Sequence, residues 1–138
     1  MEEYAIREVN AAFYRALSTL DLGTMEEVWS HDGNVTCVHP GWELLCGWAE
    51  VRESWRRIFE AGSPMRVEVT DVLVQLHNVV AWIVCLEHIT TALGSQFLRS
   101  AAQATNIFLL QEGQWRMVHH HASPTTLRAV DVARLAQN

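Results

Sequence analysis

The sequence predicts an α+β domain in which helices come first and an antiparallel sheet follows. Apolar residues recur at helical spacing from Ile6 to Phe59, then give way at Met65 to long alternating segments rich in β-formers. Two-residue turn signals separate those segments: His77-Asn78, Gly94-Ser95 and Glu112-Gly113. The 138 residues suffice for one sizeable core and are too few for two ordinary domains.

Taken in order, Ile6, Val9, Phe13, Ala16, Leu17 and Leu20 line one face of a first helix. Asp21-Leu22-Gly23 breaks it, and Thr24 with Glu27 reads as the capping box of a short second helix. Asn34 to His39 alternates as a short strand ending at Pro40-Gly41, and Glu43 to Cys46 reads as another. Gly47 opens a third helix with a buried stripe of Val51, Trp55, Ile58 and Phe59, closed by Gly62 and Pro64. Strands are expected over Met65–Leu76, Val79–Thr91, Gln96–Gln111 and Gln114–Ser123. Both faces of the last two strands carry apolar residues, so one face packs on the helices and the other on something else, most simply a second copy of the chain.

Composition removes several classes of function. No 18-residue apolar run is present for a membrane span, and Met1-Glu2-Glu3-Tyr4 lacks the basic start of a signal peptide, so a cytoplasmic location is expected. The net charge is −6 and the ten basic residues, all arginine, form no stripe, which argues against nucleic acid. Cys37, Cys46 and Cys85 lack Cys-x-x-Cys spacing and read as reduced thiols. No Gly-rich phosphate loop occurs, and Ser54 and Ser123 have no evident histidine–carboxylate partnership.

The run His119-His120-His121 needs a register before it means anything. With Glu112-Gly113 as a two-residue turn, Trp115 opposes Leu110, Met117 opposes Phe108, His119 opposes Asn106 and His121 opposes Ala104. These share one face, and His120 falls on the other with Thr105, Ile107 and Val118. A second two-residue turn at Gly94-Ser95 adds Ile83, Cys85 and Glu87 to the face of Asn106. Glu87, Asn106, His119 and His121 are then expected together, with Glu87 in reach of His121. His119 and His121, with Glu87 or His39 as a third ligand, form the weak metal alternative; no metal and no cofactor is the expectation.

The order of elements resembles the cystatin-like cone of the nuclear transport factor 2 superfamily. "VTCVHPGWELLCGW", the helix "AEVRESWRRIF" and "ATNIFLLQEGQWRMVHHHASP" are similar to its SnoaL-like branch. "VTCVHP" and the last stretch also resemble the association (hub) domain of calcium/calmodulin-dependent kinase II. The resemblance implies a single domain over residues 1–138, with three N-terminal helices on a curved antiparallel sheet. It implies a pocket facing Glu87 and Asn106, where the hub family carries arginines, so the pocket here is expected to be acidic or neutral. In the ketosteroid isomerase-like branch a general-base aspartate ends the first strand before proline, and His39 takes that place. That branch's oxyanion-donating tyrosine matches Phe13, with Tyr14 one residue off.

The resulting expectation is a homodimer, formed through the sheet face carrying His120, that holds a small apolar or planar organic ligand. His39 is the candidate base, and Glu87 with His121 the acid/base partner. Phe13, Trp42, Trp55, Asn106 and His119 are candidate ligand contacts, with Asn106 donating to a carbonyl or oxyanion. The activity class is a cofactor-free isomerase, cyclase or dehydratase; the alternatives are a non-catalytic ligand-binding domain and a hub-like oligomerisation module.

Overall fold

The computed structural model describes residues 2–62 and 65–126 of the chain. Pro64, expected to close the third helix, lies outside them. The first helix, α1 (Glu2–Thr19), buries Ile6, Asn10, Phe13, Tyr14, Ala16 and Leu17. The buried stripe is wide enough to take both Phe13 and Tyr14, although adjacent residues stand 100° apart around the helix. α2 (Leu22–Val28) starts earlier than Thr24, because Asp21 is the cap: its Oδ1 accepts from the Thr24 amide at 3.1 Å, and its Oδ2 accepts from the Thr24 hydroxyl at 2.7 Å. A carboxylate one turn ahead satisfies the first-turn amide before Thr24 can serve as cap.

The strands β1 (Thr36–Val38) and β2 (Leu45–Cys46) are shorter than their sequence patterns. Gly47, at a φ of 86° open mainly to glycine, then turns the chain into α3 (Trp48–Ala61), which buries Val51, Ser54, Trp55 and Phe59. β3 (Met65–His77), β4 (Val80–Leu93), β5 (Gln96–Gln111) and β6 (Gln114–Thr125) form the expected antiparallel meander. β1 adds to the outside of β6 in parallel, so the six-stranded sheet is mixed, in the order β2-β1-β6-β5-β4-β3.

The β4–β5 register is the expected one: Leu93 faces Gln96, Glu87 faces Ala102 and Ile83 faces Asn106. The β5–β6 register starts as expected, with Glu112 and Gly113 both at positive φ, Leu110 on Trp115 and Phe108 on Met117. It then slips. Ile107 pairs with His119, leaving Val118 as an extra residue, and Asn106 pairs with His120. This β-bulge exchanges the faces of everything after Met117. It falls where the free edge of β6 changes partner. Before it, the Ser30 amide donates to the Met117 carbonyl at 2.9 Å; after it, β1 pairs from Thr36 on His119 onward.

The inner face of the sheet packs on the helices. Small residues at Ala81, Cys85, Ala102 and Ala104 leave room for Phe13, Trp55, Ile6 and Met25, all buried. Fully burying a side chain the size of Phe13 stabilises by roughly 1.5–3 kcal/mol. The outer face keeps Trp82, Val84, Leu86, Ile107, Leu109 and Val118 half-buried.

Candidate functional site

The inner face carries one continuous polar network inside this apolar core. From β4, Glu87 reaches toward α1, where the Tyr14 hydroxyl donates to its Oε2 at 2.7 Å. From β5, the Asn106 amide nitrogen donates to Tyr14 Oη at 3.1 Å and to Asn10 Oδ1 at 2.8 Å. From β6, His120 Nδ1 donates to Asn106 Oδ1 at 2.6 Å. With its nitrogen committed to Asn10 and Tyr14, Asn106 presents only an oxygen to the imidazole, so the His120 proton sits on Nδ1. Cys85 Sγ lies 3.4 Å from Tyr14 Oη. Asn10, Tyr14, Glu87, Asn106 and His120 are all buried, and a buried polar network of this kind is stable only when its members satisfy one another.

Burial sets the protonation states. It pushes the Glu87 carboxyl up to about 7 against the Tyr14 hydrogen bond, which favours the anion. It holds the Tyr14 phenol well above its usual value, helped by the charges of Glu87 and Cys85. His120 is pushed down to about 3 by burial first and neighbouring histidines second, and stays neutral. At neutral pH the network therefore exchanges its proton at Glu87.

Above Tyr14 a cleft of about 420 Å³ opens between α1 and the β3–β4 edge. Asn10 and Tyr14 form its floor, Val67, Val69, Val72 and Ile83 its wall, and Arg7 and Arg15 its mouth. Val72 joins the wall through a second bulge, between Thr70 and Leu73, with Asp71 at a φ of 53°. Glu87 and Asn106, expected on the pocket wall, are not among the lining residues; they lie beneath the floor, bonded to Tyr14 and Asn10, and the mouth on the helix is cationic.

His39 lies behind this network. It is buried edge-on to Trp42 and Trp55, at ring centroid distances of 4.8 and 4.5 Å, and 6.4 Å from His120. Its Nε2 donates to Ser54 Oγ at 2.9 Å, because the Ser54 hydroxyl proton is used on the Val51 carbonyl at 2.6 Å. Ser54 thus has a histidine neighbour that the sequence did not announce, yet it accepts from it and is no activated nucleophile. Burial lowers His39 to about 4. It is not among the residues lining the cleft.

Of the residues singled out from sequence, Glu87, Asn106, Phe13 and Trp55 come together here, with Phe13 packed against Tyr14, Trp55 and His120. Trp42 covers His39 from a loop and is 44% exposed. The expectations for the histidine run are corrected by the bulge. His120 faces inward and cannot mark a dimer face, whereas His119 and His121 lie on the outer face, away from Glu87. There His119 Nδ1 sits 2.7 Å from the Thr36 hydroxyl, and His121 is exposed. Neither the Glu87–His121 pair nor the metal set of His119 and His121 with Glu87 or His39 is formed, since both Glu87 and His39 lie on the inner side of the sheet. Asn10 was not singled out from the sequence, and Tyr14 only as standing one residue off the place of the isomerase-branch tyrosine. The signal was their i, i+4 spacing on α1, which places both toward the sheet.

Comparison with known proteins follows the same outline. The SnoaL-like domain model matches residues 6–126. F-box protein SKIP8 of Arabidopsis thaliana is 31% identical over 119 residues, 86% of this chain; the chain spans only 49% of that relative's length. An NTF2-like family protein of Streptomyces avermitilis, described as a candidate dehydratase, superposes at a TM-score of 0.82 with 28% identity, over 90% of this chain and 96% of that one. A Thiobacillus denitrificans protein, described as a candidate calcium/calmodulin-dependent protein kinase type II association domain, gives 0.78 with 34% identity, over 86% and 93%.

Proposed function

The chain belongs to the SnoaL-like domain family, and from that premise we propose that its cleft binds a small organic carbonyl or hydroxy compound and moves one proton to or from its oxygen without a cofactor. The observation that carries this reading is Tyr14 on the cleft floor with its hydroxyl 2.7 Å from a buried carboxyl held near 7. Tyr14 Oη already accepts from Asn106. With Glu87 ionised, the phenol proton is tied to the carboxylate. With Glu87 protonated, the carboxyl donates to Tyr14 instead, and the phenol proton is released toward the cleft. Glu87 is thus the proton reservoir, Tyr14 the group that touches the ligand, and Asn106 the residue that positions Tyr14. Protonating a carbonyl or a departing hydroxyl is the oxygen-side half of an isomerisation or a dehydration, the other half being loss of a proton from the neighbouring carbon, and the S. avermitilis neighbour bears the dehydratase description.

The test is turnover and ligand binding over small enones and β-hydroxy carbonyl compounds. Tyr14→Phe is expected to lower turnover by about 100-fold or more, as loss of a positioned proton donor does. Glu87→Gln is expected to abolish turnover while the variant still binds and folds. Full turnover in both variants sinks the assignment. His39, neutral and engaged with Ser54, serves in this reading to pack the floor beneath His120.

A second reading rests on the association-domain neighbour at 34% identity: an assembly module in which the cleft performs no chemistry. Under either reading a second copy covers the outer sheet face, through Trp82, Leu86, Ile107 and Leu109 rather than His120. Light scattering separates the two: a dimer is expected for the pocket protein, a larger ring for the hub.

A further inference from the structure

The sequence of α1 contains only two cations, Arg7 and Arg15, and both stand at the mouth of the cleft. Among the described residues no aspartate or glutamate lines it, Glu87 lying beneath Tyr14. On a chain of net charge −6 this is a local inversion of sign, placed where a ligand enters. The two arginines are eight residues apart, roughly 12 Å along the helix axis by the 1.5 Å rise per residue. Ala11 lies between them on the same face and raises no side chain across the opening.

Their surroundings leave them usable. Arg15 makes no ion pair among the described residues. Arg7 pairs with Glu3 at 3.0 Å, but both side chains are about half exposed, and such a pair is readily joined or displaced by another carboxylate. Below the arginines the wall is aliphatic, formed by Val67, Val69, Val72 and Ile83. Tyr14 closes the floor with its hydroxyl, which donates to Glu87 beneath it. The cleft thus reads, from mouth to floor, as cation, apolar wall, hydroxyl.

We propose that the ligand of this cleft is an organic carboxylate with an apolar body, its carboxylate held at the mouth by Arg15 with Arg7 and its oxygen function set against Tyr14. A guanidinium matches a carboxylate with two parallel hydrogen bonds, which fixes orientation as well as affinity. The arginines sit on the helix, so the anchor is independent of the sheet positions Glu87 and Asn106. The inference rests on the reading of the cleft as the ligand site and names the class of molecule it takes.

The experiment is isothermal titration calorimetry of the full chain with 2-naphthylacetate and its neutral match, 2-naphthylacetamide. Wild type is expected to prefer the acetate by about tenfold or more, the scale of one charged hydrogen-bonding pair. Arg15→Gln should remove most of that preference and the Arg7→Gln/Arg15→Gln pair all of it. Arg57→Gln, on the exposed face of α3, should leave it unchanged. The preference should also shrink in about 0.5 M salt. Equal affinity for the two probes in wild type, a preference that survives the double substitution, or no binding of either probe overturns the inference. Equal binding that weakens in Tyr14→Phe removes the anion anchor and keeps the cleft as the ligand site. Binding indifferent to Tyr14→Phe and to both arginines removes both.

Discussion

At the scale of single residues the proposed chemistry turns on Glu87, and its burial has a measurable consequence for stability. Its carboxyl is raised to about 7, so the folded chain holds the proton more tightly than the unfolded chain does. Stability from this group is complete below the unfolded value and is lost as pH rises through about 7. A shift from 4.5 to about 7 corresponds to about 3 kcal/mol. His39 and His120 act in the opposite sense. Both are lowered by burial, so their contribution is present at neutral pH and lost as pH falls below the ordinary histidine range. Comparing wild type with Glu87→Gln in urea at pH 5 and pH 8 isolates the carboxyl. The variant should gain on wild type by about 2.5 kcal/mol over that interval, most of the full shift; no change in the difference would mean that Glu87 is solvated. Glu87 and Asn106 were legible in the sequence because two-residue turns fixed the β4–β5 register. Tyr14 was not, since its neighbour Phe13 fits the same buried stripe and only the packing shows which of them reaches the carboxyl.

The β-bulge at Val118 decides the meaning of the triple histidine at the scale of elements. Nothing local in Trp115-Arg116-Met117-Val118-His119 marks a bulge: there is no glycine, and every residue there suits a strand. The cause is long-range, a change of neighbour on the edge of β6 from Ser30 to β1, and a register counted from the hairpin cannot contain it. The inversion is testable by acylation with diethyl pyrocarbonate and peptide mass spectrometry. His121 on the exposed outer face should be modified, and His120, buried and donating to Asn106, should be protected. Modification of His120 with His121 spared would restore the uninterrupted register.

The fold was readable at the scale of the whole molecule because its signals are local: helical stripes, three hairpin turns and strands of matched length. What the sequence missed globally was the parallel addition of β1 to β6, a pairing between residues more than eighty positions apart. Membership in the SnoaL-like family gives the architecture and a pocket, while the activity depends on the groups within that pocket. The outer face makes the remaining prediction at this scale. Replacing Leu86 or Leu109 with a charged residue should turn the proposed dimer into monomers by light scattering and leave the inner network folded; a native monomer in wild type would show that this face needs no partner. Within the pocket the central claim is that the proton on Glu87 sets the direction in which Tyr14 donates. The affinity of a neutral enone, 4-phenyl-3-buten-2-one, measured from pH 5 to pH 9, tests it most directly. Wild-type affinity should fall by about tenfold with a midpoint near 7, as one hydrogen bond is withdrawn from the ligand, and Glu87→Gln should show no such dependence. A flat profile in wild type, or the same titration in the variant, would contradict the account.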